Sequence, residues 1–135
     1  MAVTVEPLFP GAARGRVFTL AAPISFWGGV DAATGRIIDA RHPDRGASVA
    51  GVILGLTGTI GSSSASSVLL ELVHAGRAPA ALLIAEPDAI LLLGLIVARE
   101  MGWRTPPAFK SPAPLLRDFH GRDMAIDQYG AITLL

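Results

Sequence analysis

Two apolar runs, VAGVILGL (49–56) and PAALLIAEP (79–87), constrain the fold more than any other feature of the sequence. Neither run alternates polar with apolar residues. Each is therefore expected to be a strand buried on both faces, as in a parallel sheet covered by helices. Between them, VLLELVHAG (68–76) places Leu69, Leu72, Val73 and Gly76 at i, i+3, i+4 and i+7, which predicts a helix with Gly76 as its stop. After the second run, Asp88 is placed to cap a helix over 89–101, and Gly102 to end it. Residues 49–101 thus predict strand–helix–strand–helix, a parallel right-handed βαβ unit.

The flanks read differently. RVFTLAAPISFWGG (16–29) holds two candidate strands broken at Pro23, and VDAATGRIIDA (30–40) reads as a hairpin with Arg36 to Asp39 as its return strand. HPDRGAS (42–48) is a loop. TPPAFKSPAP (105–114) is a proline-rich connection with room for a brief strand at Ala108 to Lys110. DMAIDQYGAITLL (123–135) predicts a closing hairpin that turns at Asp127 to Gly130. Both ends are β-rich around an α/β centre, so the expected class is α/β, with one sheet layered on another and backed by helices. One domain over 1–135 accounts for the length.

The segment GLTGTIGSSSASSVLLELV (55–73) joins the first buried strand to an apolar helix. A flexible linker would join two domains, and there is no second domain to join. The serines are better read as a βα turn entering a helix. There the free N–H groups and the positive dipole end favour an anion. In the plainer reading one serine caps the helix and the rest are solvated. In the sharper one, Gly61 lets backbone approach a ligand, and Ser62, Ser63 and Ser64 hold a carboxylate or phosphate. The segment is not a Walker A loop, because its lysine is missing, and G-x-S-x-G does not occur there.

Composition removes several function classes. Eleven basic residues balance eleven acidic ones, with no basic stripe, so nucleic acid is a poor partner. There is no cysteine, hence no disulfide, thiolate nucleophile or usual iron–sulfur ligand. Only 16% of residues are charged, below the roughly 25% usual for soluble domains, which suggests that a partner covers part of the surface. MAVTVEPLFPGAARGR (1–16) does not have the form of a signal peptide. AILLLGLIVA (89–98) is too short to span a bilayer, so the cytoplasm is expected.

Four stretches together resemble the small subunit, or swivel domain, of the aconitase X family: ISFWGGVDAATGRIIDARHP (24–43), GSSSASSVLLEL (61–72), APAALLIAEPDAILLLGLIVARE (78–100) and the closing hairpin. The resemblance covers about Gly15 to the end of the chain. It implies a swivelling β/β/α domain like the mobile domain of aconitases. It also implies a partner: a cysteine-bearing large subunit holding an iron–sulfur cluster, in a dehydratase active only when the two are together. The family's reactions are dehydration of cis-3-hydroxy-L-proline and of mevalonate 5-phosphate. The first is the expected substrate and the second the alternative, because the arginine-for-lysine, alanine-rich composition looks bacterial. In aconitases a serine after a glycine at this turn is the base, which maps to Ser62 after Gly61. The arginines that follow that serine in true aconitases are absent, since the chain reads Ser64–Ala65–Ser66. Carboxylate binding then falls to Gly61, Ser63 and Ser64, or to arginines of the partner.

The remaining candidates divide between site and scaffold. Trp27, Gly28 and Gly29 are expected to line the site edge, on the strength of the resemblance; otherwise Phe26 and Trp27 are core aromatics and the glycines form a bend. His42 is read as a loop or interface residue, His74 as a last-turn cation, and His120 as a turn residue. The three histidines have no metal-ligand spacing. Arg77 and Arg99 are read as surface or interface residues. A reading from another class, a non-catalytic anion-binding or scaffolding module on the same fold, stands beside the dehydratase.

Overall fold

In a computed structural model, residues 3–61 and 63–135 are described. Eight strands and four short helices run in the order β1 (Val3–Thr4), β2 (Glu6–Phe9), β3 (Ala13–Thr19), α1 (Phe26–Gly29), β4 (Ile53–Leu56), α2 (Ala65–His74), β5 (Ala81–Ile84), α3 (Ala89–Glu100), β6 (Ala108–Lys110), α4 (Ala113–Phe119), β7 (Asp123–Ile126) and β8 (Ala131–Leu134).

The two apolar runs form β4 and β5, neighbours in a parallel ladder with Ile53 opposite Ala81 and Leu56 opposite Ile84. Side chains alternate across a strand, and here both faces are covered. Ile53, Ala81 and Leu83 point into one core with Val17, Phe109, Met124 and Ile126. Leu54, Leu56, Leu82 and Ile84 point into the other, against Leu69 and Leu72 of α2 and Leu91 and Leu95 of α3. The result is three layers: sheet, sheet, helices.

The strand order β1-β8-β7-β3-β4-β5-β6-β2 has β1 and β2 at its two ends. These strands are consecutive, separated only by Val5, so the N-terminal segment closes the sheet on itself. Val5 is buried, and its N–H donates to the Gly130 carbonyl at 2.9 Å. β3 is the second corner. Its first half pairs antiparallel with β7 and its second half parallel with β4. Closure removes exposed sheet edges, which otherwise invite pairing with other chains.

The flanks depart from the sequence reading in three places. Residues 24–29 hold no second strand: Ile24 makes one isolated bridge to Thr59, and the short element α1 follows. Within α1, Trp27 (φ −71°, ψ 117°) and Gly28 (φ 78°, ψ −13°) take the geometry of a type II turn. Residues 30–40 turn as expected, because the Asp31 carboxylate accepts from Ala33 N–H and Thr34 Oγ1–H, but the return is two isolated bridges and not a strand. Long-range packing fixes this excursion instead, through buried Ile24, Phe26, Val30, Ile37 and Val49. Helix α4 was hidden by prolines. Pro112 at its N-cap and Pro114 in its first turn suit a helix start, where no intrahelical N–H is needed. The helix seats Leu116 and Phe119 on the end of the closed sheet.

The α2–α3 contact depends on Gly94. A Cβ there would stand 2.7 Å from the Ser66 carbonyl oxygen, a backbone atom of α2. Gly94→Ala is expected to force the helices apart and destabilise the fold by about 1–3 kcal/mol. Urea titration checks this, and the expected result is a lower midpoint with an unchanged slope.

Candidate functional site

The C-terminal ends of β4 and β5 point to one pole of the molecule. In open α/β sheets, ligands collect at such ends. Residues 57–61 leave β4 here, and Ser63 and Ser64 precede α2 at Ala65, with Ser64 as N-cap residue. The first intrahelical bonds are Ser67 N–H and Val68 N–H to the Ser64 carbonyl, at 3.1 and 3.3 Å. The serine stretch is therefore a βα turn and helix start and not a linker. Ser62 lies outside the described residues. Gly61 and Ser63 are exposed and Ser64 is half-buried. A Cβ at Gly61 would meet nothing within 4 Å, so a ligand has room to reach its backbone.

Two ties hold this turn. Ile60 N–H donates to the Ile24 carbonyl at 2.9 Å, within a parallel bridge of Thr59 with Ile24. Thr59 Oγ1–H donates to Asp88 Oδ2 at 2.8 Å. The other oxygen of Asp88 accepts from Ile90 N–H and Leu91 N–H at 3.0 and 3.1 Å, which is the N-cap expected of α3.

The tie to Ile24 brings the FWGG segment to the same pole. Its four residues divide. Phe26 is core. Trp27 is 61% exposed, so it is not a core aromatic. Gly28 is exposed with open space where a Cβ would be. Gly29 is buried: a Cβ would come within 3.0 Å of Ile24 Cγ1, and its carbonyl accepts from Ile38 N–H at 2.9 Å. Gly28 thus faces outward, whereas Gly29 is packed inward. Ile60, 56% exposed, stands on the turn itself.

The histidines serve the scaffold. His42 is buried in its loop. Its Nδ1 accepts from Asp44 N–H at 3.0 Å, so the proton sits on Nε2, which donates to the Ala22 carbonyl at 3.0 Å. His120 Nδ1 accepts from Thr19 N–H at 3.0 Å. His74 lies beside the Trp103 ring, with centroids 4.6 Å apart. Arg99 rests over the Phe9 ring at 5.6 Å. No group of three or more potential metal ligands occurs among the described residues. None of the described helices is long and apolar enough to cross a membrane.

A cavity of about 1000 Å³ lies elsewhere. It is an open groove at the opposite pole, lined by His74, Trp103, Arg104 and the β7–β8 hairpin, and no serine borders it.

Comparison with known proteins decides the family. The aconitase X swivel domain family matches residues 2–132. The chain belongs to that family. The swivel domain is 48% identical to cis-3-hydroxy-L-proline dehydratase of Pseudomonas aeruginosa over 78% of this chain and 18% of that protein. It is 38% identical to the phosphomevalonate dehydratase small subunit of Methanothermobacter thermautotrophicus over 73% of this chain and 75% of that subunit. It thus spans less than a fifth of the first relative and most of the second. The fold matches aconitase X of Thermococcus kodakaraensis, holo-form, with a TM-score of 0.86 and 29% identity over 100% of this chain and 98% of the other. The β/β/α swivel architecture expected from the sequence is the one observed.

Gly28 and Gly61 differ in a way that can be measured. Gly28 holds a positive φ with no steric neighbour, so Gly28→Ala is expected to destabilise the swivel domain by about 1–2 kcal/mol from backbone strain alone. Gly61 is outside the positive-φ set, and Gly61→Ala is expected to change stability by less than about 0.5 kcal/mol. Thermal melts of the two variants test the contrast.

Proposed function

We propose that this swivel domain is the proton-removing part of a two-part hydro-lyase, with Ser62 as the base. The observation that carries the reading is the open turn at Gly61, set at the head of α2 in a chain of the aconitase X family. A substrate carboxylate or phosphate lies against the N–H groups of that turn and of the first helical turn, with the hydroxyls of Ser63 and Ser64 beside it. Gly28 forms the facing edge. Ser62 takes the proton from the carbon next to the one that loses hydroxide. A serine hydroxyl is a weak base, so its alkoxide needs fixed donors and exclusion of water, and the helix N-terminus in a covered interface supplies both.

The second half comes from a large subunit. Relatives named as small subunits support this, and so does the exposed apolar rim of Trp27 and Ile60 above the turn. On this reading an iron–sulfur cluster belongs to the partner, as the family resemblance implies. The residues of this chain do not fit such a group, because they include no cysteine and the described ones form no metal-ligand cluster. Loss of the hydroxyl group is therefore left to groups outside the chain, and the chain alone is inactive.

The substrate proposed first is cis-3-hydroxy-L-proline, favoured by the 48% identity to the Pseudomonas enzyme over the 38% to the archaeal subunit. Mevalonate 5-phosphate is the alternative, favoured by the match along most of the archaeal subunit. Assay of the reconstituted complex on both distinguishes them. Ser62→Ala is expected to lower turnover by about 10³-fold or more with assembly intact, whereas near-normal turnover would remove Ser62 from the chemistry. Binding of anions with no dehydration by any reconstituted complex would favour the scaffolding module instead.

A further inference from the structure

Asp88 does more than a cap requires. Its carboxylate sits between two turns that leave adjacent parallel strands at the same pole. Oδ1 accepts both N–H groups at the start of α3, which is the complete cap. Oδ2 is turned to the neighbouring turn and accepts the Thr59 hydroxyl at 2.8 Å. One rigid group therefore joins the first turn of α3 to the loop that enters α2. α3 is itself fixed, with Leu91 and Leu95 buried and Gly94 against the Ser66 backbone. The tie meets the loop two residues before Gly61. On its other side the same residue bridges Ile24, from the segment that carries Trp27 and Gly28. Thr59 is thus the point where both edges of the site meet a fixed helix.

We propose that Thr59 and Asp88 form a positioning pair that sets the height and angle of the serine-bearing turn. The inference rests on the reading of that turn as the seat of the base. Neither residue is assigned contact with substrate. Backbone hydrogen bonds to Ile24 hold the turn against a segment of irregular structure, whereas the hydroxyl–carboxylate bond holds it against the helical layer. Without the second tie the turn loses its reference to α3 and opens more often from Ile24. A displacement of the order of 1 Å between a base and its proton is enough to cost about a hundredfold in rate.

Thr59→Val tests this, because it preserves shape, removes only the hydroxyl and leaves the α3 cap in place. In the complex with the large subunit, kcat is expected to fall about 10- to 100-fold while KM changes by less than about threefold. Amide exchange at Ile60, whose N–H donates to the Ile24 carbonyl, is expected to quicken about tenfold or more, with exchange in α3 unchanged. Thr59→Ser restores the hydroxyl and is expected to bring kcat within about twofold of the parent. Parent-like kcat and exchange in Thr59→Val would overturn the pair, as would a kcat loss matched by faster exchange throughout the chain. If Ser62→Ala retains turnover, the assignment of the base fails, while the exchange in Thr59→Val still decides whether the pair orders the turn.

Discussion

The structure depends on one arrangement: β4 and β5 are buried on both faces. Four consecutive residues in each strand are inaccessible to solvent, and they divide alternately between the closed-sheet core and the helix-facing core. Each buried leucine or isoleucine contributes about 1.5–3 kcal/mol, so a slip of one residue, which would exchange the two faces, is strongly opposed. Gly55 tightens the register further. It lies opposite Thr19 on β3, whose Oγ1 occupies the space that a Cβ at residue 55 would need, and that hydroxyl donates to the Leu116 carbonyl of α4. With β4 and β5 fixed, their outgoing turns must emerge side by side. The positions of the serine turn and of Asp88 follow from this.

The parts of the fold legible in the sequence are those with a local physical signature. Continuous apolar runs marked β4 and β5, and helical spacing marked α2. Asp88 and Gly102 marked the ends of α3, where Gly102 takes a φ of 78° just past the C-cap. Asp127 and Gly130 marked the last hairpin, where the Asp127 carboxylate accepts from Tyr129 N–H and Ala131 N–H. What escaped depends on distant partners. Closure of the sheet by the first strand rests on Val5 meeting Gly130, and nothing local to either residue announces it. The FWGG stretch has the composition of a strand end but forms a type II turn with Gly28 at positive φ, and Ile24 just before it pairs with Thr59, a partner that no local pattern names. The Thr59–Asp88 bond joins residues 29 positions apart, so it too is invisible to spacing.

The two poles suggest a division of labour. The end with the groove collects the C-terminal turn of α2, Trp103 and the incoming ends of β5 and β6, and no serine lines it. The serine end carries open glycines and exposed apolar side chains. The proposed two-part site accounts for this character, with open glycines and exposed apolar side chains on the side assigned to the partner.

The most direct measurement is the structure of this chain bound to the proposed large subunit with a hydroxy acid in place. Trp27, Gly28 and Ile60 are expected to be buried in the contact, with the substrate anion within hydrogen-bond reach of the turn from Gly61 to Ser64. A complex in which that turn faces bulk solvent and the partner seats on the groove beside His74 and Trp103 would contradict it.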